Sequence, residues 1–187
     1  ENFQNLSSSI NEHNIIENKY DFKLFLYLLV GISKDHHRYH DFFIKIDRIL
    51  QLYKENIKNN FTNQEIFTIF SENYRILLFL IEEDILIIDE NIYNSLKKYS
   101  PEYFSIELNK FAQKEIIQLN DSIEEFKEKR KIGENDDYIC QLIRKKKTKD
   151  FIVFMNKKGL SFDCFINESI FETNPILLNN KRILILK

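Results

Sequence analysis

Three of the four histidines stand close together, at positions 36, 37 and 40. His36 and His40 are four residues apart, so on a helix they would share one face, which is a spacing at which two imidazoles can bind one zinc ion. Asp35 or Asp41 could add a carboxylate ligand. Zincin-type chemistry needs a glutamate directly after the first histidine, and His37 occupies that position. We therefore favour a solvated helical turn, and we keep a metal-binding or small-ligand-binding domain using His36, His37 and His40 as the alternative.

Other catalytic patterns are absent from the sequence. Cys140 and Cys164 each have apolar neighbours, so we interpret both as small buried apolar side chains. No serine lies in a G-x-S-x-G motif. Adjacent acidic pairs such as Glu82 and Glu83 would point about 100° apart on a helix, so they cannot face one another as acid and base. We predict no catalytic residue, no bound cofactor and no enzymatic activity.

The charge balance argues against a nucleic-acid partner. The chain has 27 basic and 29 acidic residues and a net charge of -2, without the broad positive charge of a nucleic-acid-binding protein. We interpret the basic runs at residues 129–131 and 145–147 as solvated surface. The longest apolar run, residues 24–32, is too short to span a bilayer, and no N-terminal targeting signal is visible. We expect a cytoplasmic chain with no membrane span.

The composition predicts an all-α fold. The 187 residues are 43% hydrophobic and 30% charged, which is typical of a globular chain. There are 3 glycines and 2 prolines, so the turn residues that punctuate strand-rich folds are scarce. We predict short antiparallel helix pairs that form an irregular, ankyrin-like helical solenoid or bundle.

Two helices are predicted near the N-terminus. Apolar residues recur every three or four positions over residues 39–57, which indicates one helix with a single buried face. Residues 20–30 are apolar nearly all round, so we expect a central helix covered by neighbours on most of its faces. Gly31 should end this helix, because glycine can adopt the left-handed conformation that closes helices.

Capping signals predict the helices that follow. Thr62 and Glu65 form a capping box, in which the two side chains satisfy backbone donors left free at a helix start. Asp89 precedes a further apolar-periodic segment, and Ser100 followed by Pro101 predicts another helix start. We therefore expect several helices of two to four turns each.

The C-terminal part contains a predicted helical hairpin. Residues 133–135 should form a turn, and residues 138–155 should form two short antiparallel helices joined by a basic turn, with Gly159 closing the second. Such pairs are the unit from which helical solenoids are stacked. We divide the chain into an N-terminal helical region, residues 1–128, and residues 129–187, which hold the hairpin and the start of a candidate repeat array.

Three segments of this C-terminal part resemble a known family. Residues 129–140 read KRKIGENDDYIC, residues 142–144 read LIR, and residues 169–175 read SIFETNP. These segments resemble an uncharacterised domain found ahead of ankyrin repeats in large protist protein families. The family pattern Thr-Leu-Ile-Glu-Tyr-Ala-Ala is missing after Pro175, where residues 176–187 read ILLNNKRILILK.

The resemblance implies a non-enzymatic protein-protein interaction or scaffold domain that caps an ankyrin-repeat array. The hairpin at residues 138–155 would then be a degenerate repeat whose apolar flank contacts the first full repeat. The partner implied is another protein, of a kind that the residues do not specify.

Overall fold

The computed structural model describes residues 10, 14–35, 40–113, 123–161 and 166–174, and none of these residues belongs to a strand. The all-α prediction is confirmed. None of the described helices combines the length and the apolar character needed to cross a bilayer. The helices are α1 (Lys19–Asp35), α2 (His40–Leu52), α3 (Lys54–Asn60), α4 (Asn63–Phe70), α5 (Tyr74–Glu82), α6 (Glu90–Tyr99), α7 (Ser105–Phe111), α8 (Ile123–Ile132), α9 (Tyr138–Arg144) and α10 (Thr148–Lys158).

The chain forms two compact units, residues 1–116 and residues 117–187. The division predicted from sequence, between residues 128 and 129, falls inside α8. The predicted boundary lies at Lys129 because the segment that carries the family resemblance begins there. In the structure that run is the last turn of a helix whose buried residues, Phe126 and Arg130, belong to the second unit.

Phe22 of α1 lies at the centre of the first unit, where it is completely buried. Its ring centroid lies 6.3 Å from that of Tyr53 and 5.5 Å from that of Phe61, which stand at opposite ends of α3. Aromatic rings at these separations add to the large apolar area that each buries. Phe22 therefore holds α1 against the segment that joins α2 to α4.

Helix α1 continues to Asp35, so the prediction that Gly31 ends it is wrong. Buried Ser33 donates a hydrogen bond to the Val30 carbonyl at 2.6 Å and accepts one from Asn73 Nδ2 at 2.7 Å. Asn73 in turn accepts from the Ile76 amide and caps α5. This buried polar link holds the last turn of α1, and a buried hydroxyl is stable there because its hydrogen bonds are satisfied.

The single helix predicted over residues 39–57 is instead two helices, α2 and α3. The predicted buried face is confirmed, since Phe43, Ile46, Leu50 and Ile57 are all buried. The helical backbone is interrupted at Tyr53, whose ring packs on Phe22. The apolar period alone could not show this interruption, because the same residues face the core on both sides of it.

Of the three helix starts predicted from capping residues, two are confirmed and one is wrong. Thr62 and Glu65 form the predicted capping box at the start of α4, and Asp89 caps α6. The helix start predicted at Ser100 and Pro101 is wrong, because Ser100 ends α6 and the next helix, α7, begins at Ser105. Turns intervene, and they bury two aromatic rings that pack on the start of α5: Tyr103 and Phe104.

The second unit contains the predicted hairpin. The ring centroids of Tyr138, at the start of α9, and Phe154, near the end of α10, lie 5.0 Å apart. The two helices therefore run antiparallel. Gly159 has a φ of 62° and ends α10, where the Leu160 amide donates to the Met155 carbonyl at 3.0 Å. The left-handed closure at Gly159 and the turn at residues 133–135 are both confirmed.

Replacing Thr62 with alanine should lower the free energy of unfolding by about 1 kcal/mol, because the Glu65 amide loses its capping acceptor. Denaturant unfolding followed by circular dichroism measures this. Thr68→Ala in the middle of the same helix is the matched control, since its exposed hydroxyl donates only to a helical carbonyl. Equal losses in the two variants would contradict a capping role for Thr62.

Candidate functional site

The histidine cluster falls mostly outside the described residues. His36 and His37 are not among them, and His40 is described only as the first residue of α2. Within the described parts of the chain, no group of three or more histidine, cysteine or carboxylate side chains is arranged to hold a metal ion. Joint coordination by His36 and His40 therefore stays a prediction.

Cys140 is a buried thiol in α9. Burial raises the pKa of Cys140 to about 11, although the nearby Arg144 charge acts in the opposite direction. A thiol with this pKa is protonated at neutral pH, and only the thiolate acts as a nucleophile or a metal ligand. The interpretation of Cys140 as a buried apolar side chain is confirmed, whereas Cys164 lies outside the described residues.

The sequence segments that carry the family resemblance meet in the second unit. We call the two contacting stretches, residues 133–137 and residues 167–174, the clasp. The Gly133 carbonyl accepts hydrogen bonds from the Thr173 amide at 3.1 Å and from Thr173 Oγ1 at 2.9 Å. Gly133 has a φ of 68°, and a Cβ added to it would lie 2.6 Å from Thr173 Oγ1. Glycine is thus required here both for its backbone conformation and for the close approach of Thr173.

Glu172 accepts two further hydrogen bonds within the clasp, one from each stretch. One of its carboxylate oxygens accepts from the Asn135 amide at 3.2 Å, and the other accepts from the Asn174 amide at 2.8 Å. Asn135 itself donates through its side chain to the Asn167 carbonyl at 2.8 Å. Because Asn135 and Glu172 are both buried, these bonds replace the water that their polar atoms give up on folding.

Two further clasp carboxylates, those of Asp136 and Asp137, are also engaged. Asp136 accepts from the Ser169 hydroxyl at 2.8 Å and pairs with Lys129 at 3.3 Å. Asp137 caps α9 through the Ile139 amide and accepts from Asn167 Nδ2 at 2.9 Å.

Glu134 pairs with Arg144 Nε at 2.8 Å, and Arg144 also donates to the Asn135 carbonyl. Together with the bonds made by Glu172, Asp136 and Asp137, this pair commits four of the five clasp carboxylates to a structural contact; the fifth, Glu168, is exposed. The clasp can therefore connect two chain segments, but it presents no pair of free carboxylates for acid-base chemistry.

The basic run at residues 129–131 was expected to be solvated, and for two of its side chains this is wrong. Arg130 is only 1% exposed and lies 5.0 Å from the Phe126 ring centroid, while Lys129 also pairs with Glu125 at 3.1 Å. A run of basic residues in a sequence does not show which of its side chains is buried, because a guanidinium can lie over an aromatic face in the interior with its charge intact.

Helix α1 exposes one apolar face, which we call the α1 stripe: Tyr20, Leu24, Tyr27 and Leu28. Tyr20 is 68% exposed and Leu28 is 58% exposed. The expectation that neighbours cover most of this helix is therefore wrong for the stripe. The opposite face of α1 is buried in the core of the first unit, so the stripe is held on a fixed helix.

The α9 and α10 hairpin exposes a second, mixed surface. Val153 is 65% exposed, and Ile152 and Ile143 are each close to half exposed. Of the α10 side chains, Met155 alone is buried. The predicted apolar face of this hairpin is thus only partly confirmed: Ile139 and Leu142 are buried, whereas several aliphatic side chains face solvent.

Comparison with known proteins finds no matching family model, no matching curated protein and no matching solved structure.

Gly133→Ala should destabilise the second unit by about 3 kcal/mol, because the left-handed backbone is strained and the added methyl group displaces the buried Thr173 hydroxyl. Gly159→Ala is the matched control: it has the same backbone strain, but nothing lies within 4 Å of its added Cβ, so it should cost about 1 kcal/mol. Denaturant unfolding gives both losses, and hydrogen exchange locates them. Equal losses would contradict the clasp.

Cys140 should react with iodoacetamide far more slowly in the native chain than in urea, and its native rate should rise as the pH approaches 11. The folded pKa is raised above the unfolded value of about 8.5, so the unfolded chain releases the proton first and stability should fall as pH rises through this window. A Cys164→Ser background leaves Cys140 as the reacting thiol. Matching pH profiles in the native and unfolded chains would exclude a buried thiol.

Proposed function

We propose that this chain is a non-enzymatic protein-protein interaction or scaffold domain, and that the α1 stripe is its binding surface for another protein. The observation that carries this proposal is the exposure of four large apolar side chains along one face of a helix whose other face is fully packed. Contiguous exposed apolar patches on folded chains mark interaction sites.

The spacing of the stripe suits helix recognition. Residues 20, 24, 27 and 28 follow the i, i+4, i+7, i+8 pattern by which a helix places its apolar face in a partner groove. Tyr20 and Tyr27 offer large amphipathic rings, a residue type enriched at protein interfaces. Gly31 continues the same face one turn later, and no atom lies within 4 Å of the position its Cβ would take, so a partner backbone can approach closely there.

The proposal of a non-enzymatic role is supported by the state of the reactive groups. Four of the five clasp carboxylates, those of Glu134, Asp136, Asp137 and Glu172, are held in hydrogen bonds or ion pairs, and Cys140 is kept protonated by burial. A nucleophile or a general base must instead be free to exchange its proton with a substrate.

A narrower role, capping an ankyrin-repeat array, is supported by the resemblance of residues 129–175 and by the shape of the hairpin. Helices α9 and α10 are short, antiparallel and closed by a left-handed glycine, as expected for one unit of a helical solenoid. The clasp ties the entry of this hairpin to the segment that follows it, which would give the first repeat of an array a fixed starting point.

The test is quantitative affinity capture with the full chain as bait, comparing wild type with a Leu24→Asp/Leu28→Asp variant. Both positions are exposed, so the fold should survive while protein capture falls by at least about tenfold, the loss expected when two anchors are replaced by charges. Circular dichroism verifies the fold of each bait.

The matched control is Leu52→Asp/Ile87→Asp, which places the same charges at two other exposed apolar positions of the first unit. Proteins retained by wild type and by this control, but lost with the α1 variant, are the expected result. If the same set of proteins is recovered with all three baits, the α1 stripe is not the binding surface.

A further inference from the structure

The tip and outer side of the hairpin carry a concentrated positive charge. Between Arg144 and Leu160 there are six lysines and a single acidic residue, Asp150. All six lysines are exposed, and none forms an ion pair with another residue in the described parts of the chain. We call this set the hairpin lysines: Lys145, Lys146, Lys147, Lys149, Lys157 and Lys158.

Aliphatic side chains lie among these lysines. On α10, Lys149, Val153 and Lys157 follow one another at intervals of four residues, so they share the face opposite buried Met155. Ile152 stands beside Val153 on the same exposed side. The outer face of α10 therefore places apolar groups between two groups of positive charge.

This surface protrudes. Residues 143–150, which end α9, form the turn and begin α10, are eight consecutive exposed positions. A protruding tip does not form a groove into which a peptide could fit. It suits a partner that is itself broad and lies against the tip.

We propose that the hairpin lysines and the aliphatic side chains between them dock this chain onto an anionic phospholipid surface. Clusters of four to eight basic residues on a helix with exposed apolar residues bind membranes that carry acidic headgroups. Ile152 and Val153 would enter the boundary between headgroups and acyl chains, while the lysine stems extend along it.

The details favour lipid over other anionic partners. A phosphate backbone of nucleic acid makes no use of Ile152 and Val153, and bidentate recognition of carboxylates or phosphates in a protein favours the planar fork of arginine. Here every unpaired cation is a lysine. Lysines spread over the turn and along the exposed side of α10 match mobile headgroups, which can move to meet each charge.

This inference does not depend on the proposed binding surface on α1, because α1 and α10 belong to different units. The α1 variant and the variants below therefore report on separate surfaces. Failure of one proposal leaves the other standing.

The experiment is vesicle flotation with the full chain, comparing vesicles of phosphatidylcholine alone with vesicles that contain about 30% phosphatidylserine. We expect binding to the acidic vesicles alone, and weaker binding when salt is raised from about 0.1 M to about 0.5 M. Lys149→Glu/Lys157→Glu should lower the partition coefficient by roughly tenfold or more. Ile152→Ser/Val153→Ser should lower it by several-fold without changing the charge.

The matched control is Lys97→Glu/Lys98→Glu, the same charge change at two exposed lysines of α6. This control should bind like wild type, and circular dichroism should show all variants folded. The proposal is overturned if wild type does not bind acidic vesicles, or if the α6 control loses as much binding as the α10 variant. It is also overturned if binding is indifferent to Ile152→Ser/Val153→Ser while polyglutamate or duplex DNA binds as well as the vesicles, since the site would then serve an acidic protein or a nucleic acid.

Discussion

Helix length is the constraint on which the rest of this structure depends. Among the described helices, α1 is the longest at 17 residues, and α3, α7 and α9 have only 7 each. Isolated helices shorter than about 12–15 residues are marginal in water. Helices of this length persist because one face of each is buried and because, at α4, α5, α6 and α9, a side chain caps the N-terminus. Caps are found at the surface, in the Thr62 capping box, and in the interior, where the buried Ser33 and Asn73 link joins the end of α1 to the start of α5.

Among the described residues, the second unit has fewer buried apolar side chains than the first and a larger share of buried polar ones. Its buried residues include Arg130, Asn135, Glu172 and Thr173 beside Phe126 and Phe171, whose rings meet edge to face with centroids 5.5 Å apart. Buried polar groups stabilise a fold only when each is satisfied, and they then favour one arrangement over others. The clasp has this character, because the Gly133 carbonyl and both oxygens of Glu172 are hydrogen bonded. A small unit built in this way positions its hairpin firmly while leaving most of α10 exposed.

Sequence reasoning was strongest for the local structure. The all-α class, the capping box at Thr62 and the closure of α10 at Gly159 were each predicted from residue type and spacing, and each is confirmed. It was weakest for residues whose type suits both the start and the end of a helix, or both an end and a continuation. Ser100 and Pro101 form a plausible helix start, yet Ser100 ends α6 because Tyr103 and Phe104 are packed in the turns that follow. Gly31 likewise stays helical because Ser33 beyond it is bonded to Asn73.

By itself, the sequence determined the all-α class, the buried faces of α2 and α3, and the caps at Thr62 and Gly159, and it marked residues 129–140 and 169–175 as two segments that carry a family resemblance. Tertiary structure alone decided that these two segments contact each other, that Arg130 is buried while the lysines of the hairpin are not, and that one apolar face of α1 is left uncovered. The physical reason is the distance along the chain over which each effect acts. Propensity, capping and periodicity act over a few residues, whereas the contact between Gly133 and Thr173 joins positions 40 residues apart and depends on how the whole unit packs.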